Sequence, residues 1–335
     1  IIQPQTPDDD FYGAIFSMNY QKNRLDLKVG GAWNRYEGLH FGEVIWAEFA
    51  SNGEIRDRYY ENDAEKSDFN VYGKMLYQLN PRLSVFLDLQ YRRVGYSFLG
   101  LAVDDALGSR PLQQNSTHNF FNPKIGLSYR LNSNHSIYSS FSVGNKEPNR
   151  NDFVQSSPQS RPRPERLYDL EAGYRFQSSQ VAFGLNAYAM LYEDQLVVTG
   201  AVNDVGAFNR QNVNQSYRIG LEFEFAWKLG ERFQWDFNTT LSQNRIQDFV
   251  ESVDFFGSED DLTLLEAQGF VRDAQSGQLT RNLGNTDIAF SPNLTLGSQL
   301  NYSPVNNLTI SLLTHVLSQQ ADSQVIDRTV VQLAA

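Results

Sequence analysis

Hydrophobic and polar residues alternate along most of the chain, in runs that are long for β-strands. Between Val213 and Trp227 the odd positions are mainly apolar, whereas the even positions include Arg218, Glu222 and Glu224. Successive side chains of a strand point to opposite faces, so this segment has one apolar face and one charged face. The pattern therefore predicts strands that place one face against an apolar medium.

The same alternation predicts about twelve strands. They lie near residues 11–20, 25–36, 67–79, 83–96, 119–131, 135–143, 167–176, 180–192, 212–227, 233–244, 286–302 and 308–316. Most exceed the ~5–6 residues of soluble sheets, and they are close to or beyond the ~9–11 residues that cross a bilayer. The connections alternate between short turns and long loops, the long ones near 37–66, 97–118, 144–166, 193–211 and 245–285. We therefore predict an all-β fold, an antiparallel transmembrane β-barrel built as a meander of long hairpins.

Aromatic residues on the apolar face mark both ends of the predicted strands. Those flanking the short turns are Tyr20, Tyr77, Tyr129, Tyr174, Phe176, Phe225, Trp227, Phe233, Trp235 and Tyr302. Trp33 and Tyr91 lie towards the long loops. Amphipathic rings favour the boundary between hydrocarbon and water, so these rows are typical of the two aromatic girdles of a barrel. A soluble β-sandwich or propeller also alternates, but it does not require this aromatic placement.

Composition excludes several other classes of protein. The 335 residues include no cysteine, which rules out disulfides, thiolate metal sites and a cysteine nucleophile. The net charge of −11 argues against a nucleic-acid partner. No segment approaches the ~18 apolar residues of a membrane helix. The mean hydropathy of −0.46 is compatible with a membrane barrel, because lipid-facing and lumen-facing residues average out.

Motifs for catalysis or cofactor binding are absent from the sequence. The four histidines are scattered, and neither a His-Glu-x-x-His pair nor a Gly-x-Ser-x-Gly elbow occurs. We expect no enzyme activity, no catalytic residue, no metal site and no cofactor. Two alternatives stay open, namely a cation site in the acidic loop runs and a carboxylate–histidine pair at a barrel rim.

Charged residues on the face opposite the apolar one predict a wet interior. They are Asp26, Lys28, Asp88, Arg92, Asp169, Glu171, Arg175, Arg218, Glu222, Glu224 and Asp236. Twelve or more strands favour a wide barrel in which these groups face water or an inserted plug.

The long loops and their edges contain residues suited to binding. Arginine pairs bidentately with carboxylates and phosphates, and aromatic faces stack on rings. The candidate ligand contacts are Arg35, Tyr36, His40, Phe41, Trp46, Arg150, Arg161, Arg163 and Arg210. They would capture an anionic or aromatic ligand at the outer mouth, or bind lipopolysaccharide phosphates or the acids of their own loops.

Several segments resemble TonB-dependent outer-membrane receptors. Residues 142–153 read Ser-Val-Gly-Asn-Lys-Glu-Pro-Asn-Arg-Asn-Asp-Phe, and residues 164–174 read Pro-Glu-Arg-Leu-Tyr-Asp-Leu-Glu-Ala-Gly-Tyr. Both are similar to consecutive family segments, as is the Gly-x-Glu strand at 217–222. Residues 36–46 resemble a loop of the iron-complex and vitamin-type branch. The similarity extends from about residue 10 to 320.

The resemblance implies a 22-stranded barrel, closed by an N-terminal plug, in a Gram-negative outer membrane. It implies uptake of a scarce nutrient, such as a ferric siderophore or related iron complex, driven through the TonB complex. Lipid and lipopolysaccharide would surround the wall. Two alternatives remain, a passive outer-membrane porin and a soluble carbohydrate-binding β-protein.

The sequence departs from the family pattern at both ends. We expect residues 1–320 to form a partial barrel of about 12 strands, without the plug or the TonB-contacting segment. Residues 321–335 form an atypical tail that lacks the alternation. An open half-barrel would leave two unpaired edges, which a bilayer does not tolerate. We therefore predict that this chain alone cannot transport.

Overall fold

The computed structural model describes residues 5–43, 45–46, 56, 58–104, 108–149, 152–153, 161–202, 208–253, 258–272, 279–305 and 307–318. Within these ranges the strands form a single antiparallel sheet. The strands are β1 Gln5–Lys22, β2 Leu25–Glu43, β3 Arg58–Gln78, β4 Leu83–Asp104, β5 Gly108–Arg130, β6 His135–Lys146, β7 Glu165–Gln177, β8 Val181–Val202, β9 Phe208–Leu229, β10 Phe233–Val253, β11 Val271–Arg272, β12 Leu279–Asp287, β13 Leu294–Val305 and β14 Leu308–Leu317. Helix α1 spans Glu259–Ala267. In the part of the chain described, no helix is both long and apolar enough to pass through a membrane.

The sheet is a meander that forks at β10. Each strand from β1 to β9 pairs with the next one along the chain. The half of β10 next to its short turn, 233–241, pairs with β13, whereas residues 245–253 pair with β12. Strand β1 pairs only with β2, and β14 only with β13, so the sheet is open over the described residues. This is the arrangement expected of part of a barrel wall.

The structure confirms the predicted fold class and differs in the limits of the strands. Its described residues form 14 strands rather than about 12, because the expected loop 245–285 contains β11 and most of β12. The expected strand 286–302 is divided between β12 and β13. Strands β2 to β5 also extend well into the predicted loops. Alternation is required only where one face meets lipid, whereas backbone pairing continues above the membrane, where both faces are polar.

The register places the two sets of side chains on opposite faces. Leu221, Leu241 and Leu294 lie at paired positions on what we call the outward face, and Glu222, Thr240 and Thr295 lie at paired positions on the inward face. Large apolar side chains such as Phe121 and Leu170 are more than half exposed on the outward face. An exposed apolar surface this extensive is typical of contact with lipid.

Three tyrosine rings on the inward face lie over glycines of the neighbouring strand. The directly paired residues are Gly30 and Tyr72, Tyr138 and Gly173, and Tyr188 and Gly220. A Cβ atom added to any of these glycines would collide with the paired ring. Each glycine therefore allows a ring to lie flat against the wall and to cover backbone that would otherwise be bare.

Replacing Gly173 with alanine should destabilise the protein by about 1–2 kcal/mol, because the new methyl group would displace the ring of Tyr138. That ring also donates a hydrogen bond to Asn186 Oδ1 at 2.9 Å. The measurement is urea-induced unfolding in detergent micelles. Gly73→Ala is the matched control, since nothing lies within 4 Å of an added Cβ atom there. Equal stability of the two variants would contradict this explanation.

Buried apolar clusters occur at the outer ends of the strands. One contains Val94, Phe98 and Phe120 with Phe153. A second joins Ile246 and Phe249 of β10 to strands β8 and β9 and to Ile288. A third packs α1 against Phe270 and Leu279, and the Ser258 capping box begins that helix. The outer end of the wall is thus packed like a soluble domain.

Candidate functional site

A network of charged residues crosses the inward face at its outer end, and Arg92 is at its centre. Arg92 lies on β4, and Asp68 is its diagonal neighbour on β3. The guanidinium donates to Asp68 Oδ2 at 2.6 Å and to Glu147 Oε2 at 2.7 Å. Glu147 follows β6 directly, so Arg92 ties a connecting segment to the wall. We call Lys66, Asp68, Arg92, Tyr96 and Glu147 the Arg92 network.

The remaining members of the Arg92 network hold Glu147 from the other side. Lys66 Nζ donates to Glu147 Oε1 at 3.2 Å and lies 4.9 Å from the centre of the Tyr96 ring. Tyr96 in turn stacks on Phe98 and contacts Phe153 at a centroid distance of 5.8 Å. The Glu147 side chain is only 11% exposed. Ion pairs therefore hold Glu147 against the wall, and aromatic packing holds Phe153 there.

Glu147 has a strongly perturbed acidity. Burial alone would raise its pKa, but the hydrogen bonds from Arg92 and the charges of Arg92 and Lys66 outweigh burial. The pKa consequently falls from 4.5 to about 2. The carboxylate thus stays ionised under all ordinary conditions.

The low pKa of Glu147 gives a pH-dependent prediction. Because the folded-state pKa is lowered, the stabilisation is complete above the unfolded-state value of 4.5 and is lost as the pH falls towards 2. Glu147→Gln should lack this part of the pH dependence. The measurement is the difference in unfolding free energy between the protein and this variant from pH 6 to pH 2. A difference that stays constant below pH 4.5 would contradict the prediction.

Two of the predicted ligand contacts, Tyr36 and His40, lie on the inward face of β2. The Tyr36 hydroxyl donates to Asp9 Oδ1 at 2.6 Å and lies 3.1 Å from His40 Nε2. Tyr36 also packs against the cluster that contains Phe98. This pair adjoins the Arg92 network through the register partner of Tyr36, Lys66.

Arg35 and Phe41 lie on the opposite, outward face of the same strand. Arg35 forms ion pairs with Glu37 at 2.7 Å and Glu65 at 3.0 Å. The Arg58 guanidinium lies over the Phe41 ring at 4.0 Å. Strand β2 continues to Glu43 instead of giving way to a loop near residue 37, so adjacent residues point in opposite directions.

The remaining candidate contacts are separate from both groups. Arg163 pairs with Asp194 at 2.7 Å, and its backbone exchanges two hydrogen bonds with the Asn212 side chain. Arg161 and Trp46 are exposed. Arg150 and the side chain of Arg210 lie outside the described residues. Ligand contact by any of the nine residues stays a prediction.

Little in the sequence indicates the role of Glu147. Arg92 was expected on the inward face, but its acidic partners are 24 residues before it and 55 residues after it. The one available signal was the position of Glu147 at the start of a connecting segment rich in Pro and Arg. Among the described residues, no group of three His, Asp or Glu side chains could hold a metal ion.

Comparison with protein families gives one match, which covers nearly the whole chain. Residues 2–325 match the family model described as "TonB dependent receptor-like, beta-barrel". No curated protein matches the sequence.

Solved structures with a similar fold are distant in sequence. The siderophore receptor PiuA from Acinetobacter baumannii aligns with a TM-score of 0.66 and 13% identity, over 93% of this chain and 46% of that one. The ferric yersiniabactin uptake receptor FyuA from Yersinia pestis gives 0.62 and 12%, over 94% and 43%. The copper transporter OprC gives 0.68 and 11%, over 94% and 44%. The chain thus spans about half the length of these proteins.

Proposed function

Because the chain belongs to the TonB-dependent receptor-like β-barrel family, whose members lie in the Gram-negative outer membrane, we propose that it forms part of the wall of an energy-coupled nutrient receptor. The nutrient is a ferric siderophore or a related iron complex. The single observation that carries the proposal is the family match over residues 2–325.

The nature of the cargo rests on weaker support than the family. Two of the similar structures are named as a siderophore receptor and a ferric yersiniabactin uptake receptor, and a third as a copper transporter. At 11–13% identity these likenesses concern the fold alone. In our proposal the contact with the TonB complex lies in the part of such a receptor that this chain does not span.

The geometry of the outer end supports a division of roles between the two faces. Tyr36 and His40 are inward and offer hydrogen-bonding groups beside the Arg92 network, which suits a polar ligand entering the barrel. Arg35 is outward with Glu37 and Glu65, a position that suits contact with lipopolysaccharide phosphates. The charged groups of the Arg92 network pair with one another. We therefore assign to the network the role of holding Glu147 and the residues that follow it, and not of binding the cargo.

Growth and uptake assays test the proposed function. A strain that lacks the gene should lose growth on at least one defined ferric siderophore under iron limitation, and the intact gene should restore it. Uptake of that complex, labelled with radioactive iron, should also fall to background in a strain without the TonB protein. Undiminished growth on every iron complex, together with normal uptake of labelled iron, would refute the proposal.

A further inference from the structure

Four charged residues lie side by side in the middle of the inward face. The register pairs Lys28 with Lys74, Lys74 with Asp88, and Asp88 with Lys124 across β2 to β5. Cβ atoms of directly paired residues are about 4.5–5.5 Å apart. Three lysines and one aspartate therefore form a row with a formal charge of +2, in a chain whose net charge is −11.

This row lines an open groove of about 530 Å³. Asn70, Gln90 and Asn122 add amide groups to its walls. Only one ion pair of the row is formed, between Lys74 Nζ and Asp88 Oδ2 at 3.0 Å. Among the described residues, no acidic side chain forms an ion pair with Lys28 or Lys124, and Glu171 interacts with Lys124 only through the longer-range attraction of their charges. The groove is within the size range of small-molecule sites, and three of its lining side chains are cations against a single carboxylate.

Without a bound ligand, the row of lysines destabilises the wall. Like charges at directly paired positions, such as Lys28 and Lys74, destabilise an antiparallel sheet. A bound anion would remove this repulsion and would receive charge-assisted hydrogen bonds from several ammonium groups. Residues on the luminal face of a barrel set its selectivity for solutes more than its stability. Binding of an anion is therefore a physical reason for three lysines to lie together on this face.

We propose that the groove is a binding site for a small multivalent anion whose charge is carried on carboxylate or phosphate oxygens. The three ammonium groups hold the anion, and Asp88 orients Lys74 beside it. The site is separate from Tyr36, His40 and the Arg92 network. The proposal does not require the anion to be the transported nutrient, so it can fail or hold independently of the proposed function.

Lysine acetylation measured by mass spectrometry tests the site directly. The protein in detergent micelles is treated with acetic anhydride at increasing concentrations of citrate and, in a second series, of inorganic phosphate. Lys28, Lys74 and Lys124 should become protected together and saturably, whereas the exposed Lys228 near a short turn should react at a constant rate. Lys124→Gln should weaken the protection of Lys28 by roughly fivefold. The matched variant Lys228→Gln should leave it unchanged.

Two results would overturn the proposal. One is equal reactivity of the three lysines with and without either anion. The other is full protection before any anion is added, which would show that another part of the protein fills the groove. A normal β-sheet circular dichroism spectrum of Lys124→Gln would exclude misfolding as the cause of weaker protection.

Discussion

Arg92→Gln should lower the free energy of unfolding by about 3 kcal/mol, since the change removes the cation that two nearly buried carboxylates share. Asp68 and Glu147 would remain on the inward face, each with a side chain only 11% exposed. Lys66 could still pair with Glu147 but does not replace the five hydrogen bonds that Arg92 makes to the two acids. Arg92→Lys should recover only part of the loss, because an ammonium group cannot bind two carboxylates bidentately.

Urea-induced unfolding of the protein in micelles measures this effect. The matched control is Arg166→Gln, which removes an exposed pair with Glu193 at 3.7 Å and an exposed hydrogen bond to Asn145 at 3.2 Å, both on the outward face. Exposed pairs contribute about 0.5 kcal/mol, so the control should be nearly neutral. Hydrogen exchange gives a second readout, because amides near Glu147 should lose protection in Arg92→Gln. Similar stabilities of the two variants would show that the Arg92 network does not hold the segment 147–153.

Leu241→Arg should destabilise the membrane-inserted protein by about 2–4 kcal/mol. Leu241 is on the outward face, paired with Leu221 and Leu294, and is 56% exposed. It lies well above the aromatic residues Trp227 and Trp235 that flank the short turn, hence near the centre of the bilayer. An arginine there would place a charge among lipid tails.

The neighbouring residue provides the control for this experiment. Thr240 is at the same depth on the inward face, directly paired with Glu222. Thr240→Arg should therefore be neutral or slightly stabilising, because the new cation faces an acid in a wet environment. Folding into phospholipid vesicles, followed by the heat-dependent shift on gels, measures both variants. A larger loss for Thr240→Arg than for Leu241→Arg would reverse our assignment of the two faces.

The fold could be predicted from sequence wherever lipid imposes a pattern. The alternation between Val213 and Trp227 located β9, and the aromatic residues located the short turns. The limits of the strands beyond the membrane could not be found in this way. The sequence pattern groups Tyr36 with Arg35 at the edge of one loop, whereas a continuing strand separates them onto opposite faces.

The candidate site was harder to predict than the fold. Inward charges such as Lys28 and Arg92 could be assigned to the correct face by counting positions. Their partners depend on which strands are neighbours and on register, and neither is encoded locally. Glu147 meets Arg92 across two intervening strand connections, and the row from Lys28 to Lys124 exists only because four strands align. Such contacts require the assembled sheet.

The fork at β10 separates the outer part of the wall from the membrane part. Backbone groups at the fork have hydrogen-bond partners close by. Ser242 N–H donates to Asn293 O at 2.8 Å, and Ile288 N–H donates to Asn244 O at 3.2 Å. The residues between β12 and β13 therefore hold both strands to β10 at the point where β10 changes partner. The registers on the two sides of the fork are thus set separately, that of β13 by residues 233–241 and that of β12 by residues 245–253.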